Sequence, residues 1–161
     1  MSERRIRVSL ENQRLELFDS DRVLKTYRVS TSKNGAGESA DSFKTPRGRH
    51  VIRAKIGDGS PEGVVFRARR STGEVYSDEL AREDPDRDWV LTRILWLSGT
   101  EVGRNRLGSV DTMRRYIYIH GTPYFDRLGE AASLGCIRMS NSDVVELYKL
   151  VPLGTVVEIE D

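Results

Sequence analysis

Apolar residues recur at every second position over short runs in this chain, and that period suits half-buried β-strands rather than helices. Ile6, Val8 and Leu10 fall on one face, followed by Leu15 and Leu17, with Glu11-Asn12-Gln13 as the connecting turn. Val23 to Val29 follows as a third strand after the turn Asp19-Ser20-Asp21. Asn34-Gly35-Ala36-Gly37-Glu38-Ser39 lacks the trailing Lys-Ser/Thr of a phosphate loop and is expected to be a hairpin connection. Thr45-Pro46-Arg47-Gly48 forms another turn and opens a strand from Arg49 to Lys55. Gly57 to Asp88 is polar and aperiodic, a long surface excursion that is either a functional lid or a decorated connection. Trp89 to Ser98 returns as a buried strand.

One helix stands out. Asn141-Ser142-Asp143 offers an N-cap and an acidic first turn, and Val144, Val145, Leu147, Tyr148 and Val151 keep helical spacing. Pro152-Leu153-Gly154 stops it, and Thr155 to Ile159 is a closing strand. The expected class is mainly β with a short helix near the C-terminus, in a single domain over residues 1–161.

Composition excludes several functions. A net charge of +1 gives no general attraction to nucleic acid or anionic membrane. No run approaches the roughly 18 apolar residues of a membrane span. Arg67-Ala68-Arg69-Arg70 is expected to be a solvated loop face. The N-terminus, from Met1 to Glu11, has positive charge without an apolar stretch behind it, so no export signal is expected. That reading puts the protein in the cytoplasm, or on the periplasmic or wall side if the sequence is a trimmed piece.

The chemistry centres on Cys136, the one cysteine, which cannot form an internal disulfide. It sits in Ser133-Leu134-Gly135-Cys136-Ile137-Arg138-Met139, and His120 lies upstream in Tyr116-Ile117-Tyr118-Ile119-His120-Gly121-Thr122-Pro123. Strand alternation turns Ile117 and Ile119 to the core and Tyr116, Tyr118 and His120 to a polar face. His120 then stands at a strand end as a general base. A neighbouring imidazolium is expected to lower the thiol pKa and raise the reactive fraction. Gly135 permits a sharp turn, so the amides at Gly135 and Cys136 can face a developing oxyanion. Ser133 supplies a hydroxyl at the entrance, and Arg138 either binds a substrate carboxylate or holds the local structure. His50 has no evident polar partner and is assigned a structural role. Two histidines and one cysteine without close spacing do not make a zinc site, and no Gly-x-Ser-x-Gly elbow is present.

These residues resemble the YkuD-type L,D-transpeptidases of bacterial cell-wall metabolism. His120-Gly121-Thr122 followed by Ser133-Leu134-Gly135-Cys136-Ile137-Arg138 matches the family signature. Thr45-Pro46-Arg47-Gly48 and Val151-Pro152-Leu153-Gly154-Thr155 extend the likeness along the chain. Leu134 departs from the His that many members carry there, which makes the pocket wall more apolar. The resemblance implies a β-sandwich of the YkuD catalytic-domain type. It also implies a Cys136 thioester, His120 as base, and the Gly121 carbonyl orienting the imidazole. Tyr118, Thr122, Ser133, Leu134 and Arg138 are the expected substrate-contacting residues, and no metal or cofactor is expected. The implied partner is a peptidoglycan tetrapeptide stem or soluble muropeptide. The absent export signal favours water as acceptor, in murein recycling; an amine acceptor would make 3-3 crosslinks, and a non-catalytic muropeptide-binding module is the remote alternative.

Overall fold

The alternating N-terminal runs pair in sequence order. In the computed structural model, which describes residues 3–161, β1 (Arg4–Ser9), β2 (Arg14–Asp19) and β3 (Arg22–Arg28) form an antiparallel meander. Met1 and Ser2, the start of the stretch examined for an export signal, lie outside the described residues. Ile6, Val8, Leu15 and Leu17 are fully buried, the face that the period-two pattern marks. The remaining strands are β4 (Gly48–Ile56), β5 (Val64–Arg67), β6 (Arg70–Val75), β7 (Val90–Gly99), β8 (Tyr118–Gly121), β9 (Ile137–Met139) and β10 (Val156–Glu160).

Their order is β3-β2-β1-β10-β4-β7-β5-β6, and the sheet branches at β7, which also pairs β8, itself paired to β9. Ile6 and Leu17 at one end share a single core with Ile119 and Ile137 at the other, so the sheet folds back on itself as a mainly β sandwich. Backbone bonds between Ser30 and Arg138, both 2.9 Å, join the chain after β3 to β9 and close the two ends.

α2 (Asn141–Leu150) packs Val144, Leu147 and Tyr148 into this core. Its N-cap is Ser140, one residue before the expected start, with Oγ accepting from Asp143 N at 3.2 Å. Asn141 is already helical, and its side chain is engaged elsewhere: Thr92 Oγ1 donates to Asn141 Oδ1 at 2.6 Å. At the other end Lys55 Nζ donates to the Tyr148 and Val151 carbonyls, both at 2.7 Å, satisfying acceptors that a helix C-terminus leaves open. No helix among the described residues is long and apolar enough to cross a membrane.

Several expectations are corrected. Residues 34–39 do not connect a hairpin: the segment between β3 and β4 is irregular and is held by isolated bridges, Ser32 to Ser133 and Ala36 to Thr45, both parallel. Its backbone groups are met by hydroxyls instead of a ladder, as where Thr45 Oγ1 accepts from Ser32 N at 3.0 Å. The excursion from Gly57 to Asp88 contains the β5–β6 hairpin and α1 (Asp78–Glu83), capped by Ser77. Its two-residue turn, Ala68-Arg69, has φ of +48° and +65°, a left-handed turn without the usual Gly or Asn signal. Arg69 is not merely solvated: Nη1 donates to Tyr118 Oη at 3.1 Å, and the guanidinium lies 5.1 Å from the Trp96 ring and 4.5 Å from the Tyr116 ring.

His50 does have polar partners. It is fully buried, with Nδ1 donating to Gly48 O at 3.0 Å and Nε2 accepting from Thr112 Oγ1 at 2.9 Å. Burial pushes its pKa down from 6.5 to about 4. The folded state therefore favours the neutral ring, a stabilisation present above pH 6.5 and lost as pH falls toward about 4. The contribution is on the order of 3 kcal/mol. Urea unfolding of the parent and His50→Gln should show the parent losing more stability between pH 7.5 and 4.5. Equal losses in the two proteins would refute this.

Candidate active site

The parallel register of β8 and β9 pairs Ile119 with Ile137, His120 with Arg138 and Gly121 with Met139. Ile119, Ile137 and Met139 are fully buried in the core. Alternation therefore sends Tyr118, His120, Arg138 and, one residue before β9, Cys136 to the opposite face. Tyr116 does not join that strand. It turns at φ +57° and is 52% exposed, because its N–H is spent on the Met113 carbonyl. Its own carbonyl still reaches the thiol: Cys136 Sγ–H donates to Tyr116 O at 3.4 Å, and Tyr118 N–H donates to Sγ at 3.3 Å.

His120 is fully buried, and its Nδ1 lies 2.7 Å from the Gly121 carbonyl. A carbonyl only accepts, so Nδ1 carries the proton and the neutral ring presents its lone pair at Nε2. Nε2 has no hydrogen-bond partner. Burial holds the imidazole pKa below its ordinary value, while Asp88 and the Gly121 carbonyl oppose that and Arg138 adds to it. Gly121 admits no side chain: a Cβ would collide with Asn141 Oδ1 and sit 2.8 Å from Leu91 O.

The Cys136 loop is built by hydroxyls. Ser133 Oγ donates to Cys136 O at 2.6 Å and accepts from Gly135 N at 3.2 Å, and Thr45 Oγ1 donates to Gly135 O at 3.0 Å. Gly135 adopts φ +127°, a conformation closed to side-chain-bearing residues. Two expected roles change accordingly. Ser133 is buried, and its hydroxyl is engaged in shaping the turn. The Gly135 N–H is occupied by Ser133 Oγ, leaving the Cys136 N–H as the amide of the pair with no protein acceptor among the described residues.

The other expected contacts divide. Thr122 is fully buried, its Oγ1 accepting from Tyr124 N at 3.2 Å, so it finishes the strand end. Tyr118 is buried edge-on against Trp96, with its hydroxyl held by Arg69. Leu134, 42% exposed, and Cys136 line a cleft of about 370 Å³ with Phe43, Asp88, Arg114 and Tyr116. Leu134 and Asp88 also line an adjoining cleft of about 450 Å³ with Lys33, Tyr124, Arg127 and Arg138. Arg138 Nη2 is 2.7 Å from Asp88 Oδ1, and Nη1 donates to Ala132 O at 3.3 Å. Arg115 is spent on the Gly37 and Lys44 carbonyls and Ser42 Oγ. Asp88, the last residue of the excursion, carried no sequence signal of a role here.

Burial pushes the Cys136 pKa up to about 12, Asp88 adds to the rise, and the Tyr118 N–H, Arg138 and Arg115 oppose it. The expected imidazolium neighbour is absent because burial disfavours that charge as well. Burial thus favours the uncharged form of both Cys136 and His120, and His120 Nε2 makes no hydrogen bond to Sγ. The close fit around Gly121 gives a test: Gly121→Ala should lower folding stability by about 1–3 kcal/mol through overpacking, measured by urea unfolding. Unchanged stability would contradict it.

Sequence comparison matches residues 3–159 to the profile of the L,D-transpeptidase catalytic domain, YkuD. The chain is 31% identical to the YkuD protein of Bacillus licheniformis over 156 residues and 50% identical to that of Bacillus subtilis over 155. Each match takes in 96% of this chain and 64% of the relative, so the chain spans less than two-thirds of their length. Among solved structures, an L,D-transpeptidase from Mycobacterium smegmatis aligns at TM-score 0.60 and 19% identity, covering 99% of this chain and 59% of that one. L,D-transpeptidase 3 from Mycobacterium tuberculosis, solved with a faropenem-derived adduct, aligns at 0.60 and 18%, covering 99% and 61%. At that identity the structural likeness concerns the fold, whereas the sequence profile runs through both His120 and Cys136. The chain belongs to the YkuD L,D-transpeptidase catalytic domain family of enzymes.

Proposed function

We propose that the protein is a cysteine acyl-transfer enzyme acting on the L,D bond between the position-3 diamino acid and D-Ala of a peptidoglycan tetrapeptide stem. The observation that carries this reading is the unpartnered His120 Nε2, its ring fixed by the Gly121 carbonyl, on the face shared with Cys136. The Sγ proton passes to Nε2 as sulfur attacks the position-3 carbonyl carbon. The Cys136 N–H stabilises the oxyanion. Collapse breaks the C–N bond, the departing D-Ala amine takes the proton from His120, and a thioester remains. Arg114 lines the Cys136 cleft with no side-chain hydrogen bond, so it is the cation free to meet a substrate carboxylate.

The acyl acceptor then delivers its proton to Nε2 and attacks the thioester, and the thiolate leaves and is reprotonated. Water gives an L,D-carboxypeptidase that trims soluble muropeptides to tripeptides. An amine gives transpeptidation and 3-3 crosslinks. The second cleft favours the amine, since it meets the first at Leu134 and Asp88 and offers another stem room beside the thioester.

Free tetrapeptide with and without a second stem, followed by mass spectrometry, distinguishes the outcomes. Crosslinked or exchanged product should exceed tripeptide when the amine is present, and Cys136→Ala should lose turnover while keeping its near-ultraviolet circular dichroism. Tripeptide alone in both conditions would establish water as acceptor. Binding without any turnover by the parent would leave a non-catalytic module.

A further inference from the structure

The Arg138–Asp88 ion pair joins the last residue of the long excursion to β9. Arg138 stands opposite His120 in the parallel register, and its side chain is 8% exposed. The guanidinium lies 5.3 Å from the Tyr124 ring centre, with Nε buried and unpartnered. A cation so enclosed depends on its carboxylate, because burying an unpaired charge is costly. Asp88 meets it at 2.7 Å and borders both clefts beside Cys136.

We propose that Asp88 is a positioning residue of the acyl-transfer site, pinning Arg138 against β8 and setting the balance of charge in which Cys136 and His120 exchange their proton. The proposal rests on the acyl-transfer reading of that pair. The charged and titratable groups facing it are few. Asp88 and Arg138 act on both members, Arg115 acts on the thiol, Tyr118 shares the face and interacts with Cys136, and Asp41, Arg114 and Tyr116 line the same cleft. Asp88 favours the proton-bound form of each partner, the thiol of Cys136 and the imidazolium of His120, and Arg138 has the opposite effect on both. Asp88 therefore adds to burial in favouring the protonated thiol, and favours the proton on His120 once sulfur attacks. A thiol kept protonated is also a poor target for oxidation.

The sign of these effects separates charge from packing. Alkylation of Cys136 by iodoacetamide at pH 8 reports the thiolate fraction and needs no peptide substrate, so it stands whether or not the peptide is turned over. Asp88→Asn keeps the shape and removes the charge, and should react about tenfold faster than the parent. Arg138→Gln leaves Asp88 unopposed and should react several-fold more slowly. Asp88→Glu should restore a rate close to the parent's. Loosened packing would expose the thiol in either variant, so acceleration in both Asp88→Asn and Arg138→Gln overturns the proposal. An Asp88→Asn rate equal to the parent's does the same.

Discussion

Parallel pairing of β8 with β9 is the constraint on which the site depends. Each strand is short, four and three residues, and neither could hold a side chain to a fixed direction alone. Packing one face into the core with Ile119, Ile137 and Met139 leaves the other face no freedom of register, since a slip by one residue would bury the polar set. His120, Arg138, Tyr118 and the approach to Cys136 are thereby set together. β7 supports them from the other side, with Ile94 opposite His120 and Trp96 opposite Tyr118. Around this pair, hydroxyls do what regular ladders do elsewhere: Ser133 folds the Cys136 loop, and Thr45 ties it to the turn before β4.

Burial gives the site its resting character. Both reacting groups are kept uncharged by their surroundings, the thiol above its usual range and the imidazole below. The fixed Nδ1 proton matters here, because it leaves Nε2 as the sole basic atom of the ring. The buried histidine away from the site, His50, shows the contrast: both of its nitrogens are engaged, so it stabilises the fold and has no lone pair to offer.

Much of this was legible in the sequence where the determining pattern is local. The N-terminal meander, the strand from β7, the final helix and the His120 and Cys136 motifs follow from alternation, helical spacing and glycine at turns. Side-chain roles set by distant partners were not. Ser133 and Thr122 look like substrate contacts until their hydroxyls are found committed to backbone. The β5–β6 hairpin escaped because β5 has only four residues, too few to show a period, and its left-handed Ala68-Arg69 turn lacks glycine. Asp88 escaped because its meaning lies in Arg138, fifty residues away.

In the proposed reaction, acyl transfer passes through the Cys136 sulfur with His120 taking its proton. Intact-protein mass spectrometry within the first turnovers on a tetrapeptide stem tests it most directly. The expected result is a transient mass gain equal to the tripeptidyl acyl group, mapped to the Cys136 peptide, released by hydroxylamine and strongly diminished in His120→Ala. Turnover of the tetrapeptide by Cys136→Ala at a rate near the parent's would contradict it.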